Sequence, residues 1–220
     1  TAAAPVATLA DVLAHLGDIA PSRVRFPPAL GSATEQDVLE VHAREDRLCE
    51  LVDGVLVEKA MGFRESYLAG AILEALRVFE RPRHLGVVTG ADGMMRLAPG
   101  LVRIPDVAFV SWDRLPNRRI PTTPIPALAP DLAVEVLSEG NTPREMLRKR
   151  QEYFAAGVRL VWLVDPETRT VAVWTAVDQS TVLGTTQTLD GHTVLPGFAL
   201  PLQALFAELD RQGTEGGEGR

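Results

Sequence analysis

The chain of 220 residues is 46% hydrophobic, which is enough to bury one sizeable core. Its formal net charge of -7 and isoelectric point near 5.2 exclude a general attraction to polyanions, so contact with nucleic acid would need a local basic patch. The single cysteine, Cys49, excludes an internal disulfide and a cysteine-based metal cluster. With no apolar run long enough for a membrane span and no signal-like segment at the start, we expect a cytoplasmic protein without membrane contact.

The chain is predicted to contain one main domain over 34–211, preceded by an N-terminal extension over 1–33 and followed by a disordered Gly/Glu-rich tail over 212–220. Thr8 is predicted to cap a short helix that ends at Leu16. Thr34, with Asp37 three residues later, is predicted to open a second helix that ends near Arg47. Both helices are expected to be peripheral.

A β-hairpin is predicted from Leu48 onward, because Asp53-Gly54 separates two apolar segments and both residues tolerate a positive φ. Its first strand carries Glu50. A long amphipathic helix is predicted from Gly62 to Glu80.

Strands are predicted for much of the remaining chain, over 85–89, 94–97, 101–111, 131–137, 159–164, 170–176, 181–186 and 192–194. Pro105 interrupts the strand 101–111, where we expect an edge or a bulge followed directly by Asp106. The proline-rich segment 116–130 is predicted to be a stiff surface loop. Helices are predicted over 143–156, capped by Thr142 and Gly157, and over 202–209.

Glu135 is the most unusual residue of the pattern, because it lies inside the apolar strand 131–137. A buried carboxylate without a partner is costly. Two interpretations follow. Glu135 pairs with a basic side chain, for example an arginine of the next helix, or it is a ligand of a divalent metal ion, which prefers hard oxygen donors.

A second acid and a helical lysine favour the metal interpretation. Asp106 is expected on a neighbouring strand, and Glu145, Lys149 and Tyr153 share one helix face. An ordinary Glu–Lys pair beside a packed tyrosine would give the same spacing. Taken together, two carboxylates and an ammonium group are what phosphodiester hydrolysis requires, since the metal acidifies a water and the ammonium offsets negative charge in the transition state.

Four positive charges lie between residues 144 and 150, in Arg144, Arg148, Lys149 and Arg150. They fit either phosphate contacts or a solvated helix face. The four histidines have no ligand spacing, and the three tryptophans are expected to pack in the fold.

Several segments together resemble the Uma-type family of bacterial putative restriction endonucleases, part of the PD-(D/E)XK nuclease superfamily. They are Glu50-Leu-Val-Asp53-Gly54, Arg103-Ile-Pro105-Asp106-Val, Asp131-Leu-Ala-Val-Glu135-Val-Leu-Ser138, Lys149-Arg-Gln-Glu-Tyr153, Ala156-Gly157-Val and the closing Pro196-Gly-Phe-Ala-Leu-Pro-Leu. The resemblance extends over residues 34–209.

The resemblance implies an α/β (α+β) restriction-endonuclease-like fold, with a central mixed β-sheet flanked by helices. It implies a metal site for Mg²⁺, with Mn²⁺ as a substitute, formed by Asp106 and Glu135 with help from Glu50. DNA is the implied substrate, and a homodimer is expected by analogy with nucleases that cut both strands.

The sequence departs from the superfamily signature at Leu137, where a lysine is expected two residues after the second acid. In the Uma-type family the lysine comes from the following helix, where Lys149 matches it and Tyr153 matches the accompanying tyrosine. Glu145 stands where the family often has aspartate, and Glu65 stands where it often has histidine.

Two hypotheses for the function follow. In the first, the chain is a metal-dependent endodeoxyribonuclease with Asp106, Glu135, Lys149 and Tyr153 as catalytic residues. In the second, it is a catalytically inactive module of the same fold that binds nucleic acid or a protein partner, as the acidic charge and the lysine missing at Leu137 would allow. A third reading, that the acids form only structural pairs, would exclude metal binding.

Overall fold

The computed structural model describes residues 8–212. The tail beyond 212, expected to be disordered, and residues 1–7 lie outside the described part of the chain, so the tail prediction stays untested.

The described residues form α-helices and β-strands in a mixed order. The helices are α1 (Leu9–His15), α2 (Glu35–Glu45), α3 (Phe63–Glu80), α4 (Pro143–Ala155) and α5 (Leu202–Ala207). The strands are β1 (Cys49–Val52), β2 (Val55–Glu58), β3 (Gly86–Thr89), β4 (Met95–Ala98), β5 (Leu101–Arg103), β6 (Val107–Ser111), β7 (Leu132–Val136), β8 (Leu160–Asp165), β9 (Thr170–Ala176), β10 (Gln179–Leu183), β11 (Thr188–Gly191) and β12 (Leu195–Pro201).

The strands form two main sheets and a small hairpin. An antiparallel four-stranded sheet has the order β2-β1-β5-β4, and a six-stranded sheet has the order β10-β9-β8-β7-β6-β3. Within the larger sheet only β7 and β8 pair in parallel, and α4 is the crossover that connects them. This mixed sheet with flanking helices confirms the predicted fold class.

Both faces of the six-stranded sheet are covered. On one face, α3, α5 and β12 pack over apolar residues of β6 to β9, with Trp162 fully buried and stacked on Phe198. On the other face, Tyr153 of α4 packs with Ala133 of β7 and Val161 of β8. Alternation along β7 therefore places Glu135 on the same face as Ala133, toward α4.

Local turn chemistry places most elements where the sequence predicts them. Asp53 and Gly54 have φ of 50° and 72° in the turn between β1 and β2, as a two-residue hairpin requires. Thr142 caps α4, and Gly157 follows it with φ of 88°. No helix within residues 8–212 is long and apolar enough to cross a membrane.

Two strand predictions are wrong. The single strand predicted over 101–111 is two strands of different sheets, because the chain leaves the four-stranded sheet after Arg103 and enters the six-stranded sheet at Val107. The strand predicted at 192–194 is the turn between β11 and β12, where His192 has a φ of 46°.

Candidate active site

The junction between the two main sheets brings three carboxylates into one buried region. Asp106 lies in the short connection from β5 to β6, Glu50 comes from β1, and Glu135 comes from β7. The solvent-exposed fraction is 0% for Glu50, 3% for Asp106 and 4% for Glu135. Buried carboxylates need cations or hydrogen-bond donors, so their partners define what the region can do.

Lys149 is the cation that joins two of these carboxylates. Its Nζ lies 3.1 Å from Oε1 of Glu50 and 3.2 Å from Oε2 of Glu135. Burial alone would lower the pKa of Lys149, but the charges of Glu135 and Glu50 outweigh it and raise the pKa above its ordinary value. Lys149 therefore points inward as a permanent cation.

Glu135 accepts a second hydrogen bond, from the Tyr153 hydroxyl at 2.5 Å. Burial raises the pKa of Glu135, Lys149 opposes the rise, and the nearby charges of Asp106 and Glu50 add to it. Burial and the charge of Glu135 also raise the pKa of Tyr153 well above its ordinary value, so the phenol stays protonated.

Glu50 is held more firmly than Glu135. Its Oε2 accepts a hydrogen bond from Nη1 of Arg103 at 2.7 Å, and its Oε1 accepts one from the backbone N–H of Ile104 at 3.1 Å. Burial opposes ionisation, but Lys149, Arg103 and this amide together lower the pKa of Glu50 to about 2. With both oxygens engaged, Glu50 anchors the two cations.

Asp106 bridges to the neighbouring strand and to a residue that the sequence analysis missed. Its Oδ2 accepts a hydrogen bond from the N–H of Val136 at 2.6 Å. Its Oδ1 lies 2.8 Å from Nζ of Lys59, although among the described residues it accepts no hydrogen bond of regular geometry. Lys59 directly follows β2, and its side chain is 4% exposed.

The composition of the chain contains a feature that could have drawn attention to Lys59. The chain has only two lysines among its 22 basic Lys and Arg residues, and both lie in this site. Arginine provides every other Lys/Arg charge of the chain, so a lysine marks a position where a compact ammonium is suited and a planar guanidinium is not.

The helix pair expected between Glu145 and Lys149 does not form. Glu145 instead accepts hydrogen bonds from both Nη atoms of Arg23, at 2.7 and 2.9 Å, and one from Asn141. The backbone of Gly17 packs directly against that of Glu145. The N-terminal extension is therefore not peripheral, because it fixes the start of the helix that carries Lys149.

The arginines of α4 are engaged within the chain. Arg144 pairs with Asp18, and Arg148 pairs with Glu152 and Asp53. The guanidinium carbon of Arg150 lies 3.4 Å from the centre of the Trp174 ring. Arg148 and Arg150 are thus engaged by partners within the chain, which weakens the interpretation of this helix as a phosphate-binding face, whereas Arg144 is 72% exposed in a surface pair.

A cavity of about 870 Å³ lies beside the site. Its walls include Ala60, which follows Lys59, Leu137 and Ser138, which lie two and three residues after Glu135, and Glu65. Glu65 thus lies on the cavity wall.

The donor set suits a metal ion only in part. Between residues 8 and 212, no group of three or more His, Cys, Asp or Glu side chains is arranged to hold a metal ion. Mg²⁺ commonly uses one or two carboxylates and takes its other ligands from water and substrate phosphates. Asp106, with its oxygen that accepts no regular hydrogen bond, and Glu135 fit that smaller requirement.

Comparison of structures defines the class of fold. The chain superimposes on the crystal structure, at 1.96 Å resolution, of a putative nuclease belonging to DUF820 from Anabaena variabilis ATCC 29413, with a TM-score of 0.67 and 20% sequence identity. The match covers 74% of this chain and 92% of that one. At this identity it establishes the shared fold alone.

Sequence comparison then gives the family. Residues 35–203 match the Uma2 family, described as "Putative restriction endonuclease". The chain therefore belongs to the Uma2 family, which confirms the resemblance seen in the sequence. A search among curated proteins finds no match.

Proposed function

We propose that this protein is a metal-dependent nuclease that hydrolyses phosphodiester bonds of DNA. The observation that carries the proposal is the position of Lys149, whose ammonium group lies 3.2 Å from Glu135. This contact supplies, from the helix, the lysine that the superfamily signature would place at Leu137.

Asp106 and Glu135 are proposed to hold Mg²⁺, or Mn²⁺ in its place. The bound ion would supply a water of lowered pKa and would polarise the phosphate. Lys149 offsets the negative charge that develops on the phosphate, and Tyr153 fixes the orientation of Glu135. Both Glu50 and Glu135 have both oxygens engaged, but Glu50 is held by Arg103 and by the Ile104 backbone amide in addition to Lys149. We therefore assign Glu50 to holding Lys149 and Arg103 in place.

Cleavage of supercoiled plasmid DNA tests the proposal. The wild type should convert the plasmid to open-circular or linear DNA in the presence of Mg²⁺ or Mn²⁺, and chelation should stop the reaction. Asp106→Asn and Lys149→Met should each lower the rate by a factor of about 100 or more. Glu167→Gln removes an exposed carboxylate outside the acid cluster and serves as the matched control.

The second candidate is a catalytically inactive module that binds nucleic acid or a protein partner. The closed and internally paired state of the acid cluster favours it, since every side chain of the cluster is at most 6% exposed. Binding of DNA at low salt without cleavage under either metal, for several substrates, would select this candidate. DNA specificity, cytoplasmic location and a homodimer all stay predictions.

A further inference from the structure

The acid cluster contains as many cationic groups as carboxylates. Glu50, Asp106 and Glu135 face Lys59, Lys149 and Arg103, and all six side chains are nearly inaccessible to solvent. Glu152, whose side chain is 14% exposed, also pairs with Arg103, and its charge is matched by Arg148. A buried region of this kind is neutral without any added ion. A divalent cation would therefore add uncompensated charge unless one of the three cationic groups moves away.

Lys59 is the cationic group with the fewest ties. Arg103 is held by Glu50 and Glu152, and Lys149 is shared between Glu50 and Glu135. The Lys59 ammonium lies 2.8 Å from Oδ1 of Asp106 and donates a hydrogen bond to the Ala91 carbonyl at 3.1 Å. Lys59 thus contacts one carboxylate, that of Asp106, whereas Arg103 and Lys149 each contact two.

The position of the ammonium is also the position that a metal ion would take. Among the described residues Oδ1 accepts no hydrogen bond of regular geometry, while Oδ2 is engaged by the Val136 amide. Oδ1 is therefore the oxygen of Asp106 available to a cation, and Lys59 occupies it. The next residue, Ala60, lines the adjacent cavity.

We infer that the Lys59 ammonium is a resident cation that competes with the divalent metal for Asp106, and that the metal binds only when Lys59 leaves Oδ1. The inference rests on the proposed function, because it takes Asp106 as a metal ligand. The Lys59 ammonium explains how the buried acid cluster is stable without metal. It also makes the metal affinity of Asp106 and Glu135 weaker than it would be without the Lys59 charge.

Calorimetric titration with Mn²⁺ of the purified full chain tests the inference without any assay of activity. Lys59→Met keeps the length of the side chain and removes its charge. Its dissociation constant for Mn²⁺ should be lower than that of the wild type by a factor of about 10 or more. Lys59→Gln, which is neutral but retains a donor for Ala91, should show the same direction and serves if Lys59→Met does not fold.

Two controls separate the possible outcomes. Arg144→Met removes a positive charge of the same helix as Lys149 whose partner, Asp18, lies outside the acid cluster, and it should leave the Mn²⁺ affinity within a factor of about 2. Asp106→Asn combined with Lys59→Met should abolish the gain. An equal or weaker affinity of both Lys59 variants overturns the inference and leaves the proposed function intact, whereas no Mn²⁺ binding by any variant overturns both.

Discussion

The ion pair between Arg23 and Glu145 links the N-terminal extension to the helix of Lys149, and its removal should destabilise the fold strongly. Arg23 is 10% exposed and Glu145 is 3% exposed at the side chain. Arg23 also donates to the carbonyls of Gly140 and Glu58, each at 2.9 Å. Removing one partner of a buried pair costs about 3–5 kcal/mol, because the other charge stays buried without compensation.

Arg23→Met should therefore lower the free energy of unfolding by about 3–5 kcal/mol at pH 7, a large share of the roughly 5–15 kcal/mol typical of a domain. Denaturation in urea, followed by circular dichroism, gives this value. The double variant Arg23→Met/Glu145→Gln should recover part of the loss, because it removes the uncompensated charge. Arg25→Met, whose pairs are more exposed, should cost about 1 kcal/mol or less.

The effect should also depend on pH in a defined direction. Burial would raise the pKa of Glu145, but Arg23 and Lys149 outweigh it, so the pKa is lowered in the folded state. A carboxyl group with a lowered pKa in the folded state stabilises the fold fully at pH values above its pKa in the unfolded chain. This stabilisation is lost as pH falls through the pKa of the folded state. The difference in free energy of unfolding between the wild type and Arg23→Met should thus become smaller in acid. A loss at pH 7 no larger than that of Arg25→Met would refute the reasoning.

Three further effects follow from contacts in or near the site. Tyr153→Phe removes a hydrogen bond to the buried Glu135 and should lower the free energy of unfolding by about 1.5–3 kcal/mol in the same denaturation assay; a loss below about 0.5 kcal/mol would contradict that bond. Gly17→Ala should lower the free energy of unfolding by about 1–3 kcal/mol, because Gly17 has a φ of 95° and a Cβ there would lie 2.5 Å from the Glu145 nitrogen. The shift in melting temperature measures this loss. Gly70→Ala, where a Cβ would meet open space, is the control. Acid titration should reduce stability as pH falls from 4.5 toward 2, since the pKa of Glu50 is lowered from 4.5 to about 2 in the folded state; Glu50→Gln should flatten this slope, and an unchanged slope would count against the pairing of Glu50.

The sequence was sufficient for the elements whose signals are local. The turn at Asp53-Gly54, the cap at Thr142 and the glycine at 157 each act within a few residues, and each lies where it was predicted. The resemblance to a known family supplied the fold class. Lys149 could be selected because the helix period places it on the face of Tyr153.

What the sequence could not supply depends on contacts between distant segments. The stretch 101–111 has the sequence pattern of one strand. In the structure the backbone N–H of Ile104 donates to Glu50 and that of Asp106 donates to the Val134 carbonyl, so the residues before and after Pro105 belong to different sheets. Arg23 reaches Glu145 across more than half of the chain. Lys59 follows an apolar strand, where the local pattern carries no sign of its contact with Asp106.

The proposed function depends on a divalent metal held jointly by Asp106 and Glu135. Anomalous diffraction from a crystal soaked in Mn²⁺ tests it most directly. We expect a manganese peak within about 2.0–2.3 Å of oxygens from both carboxylates, with the Lys59 ammonium moved away from Asp106. Manganese bound elsewhere, or no manganese with the contact between Lys59 and Asp106 intact, would contradict it.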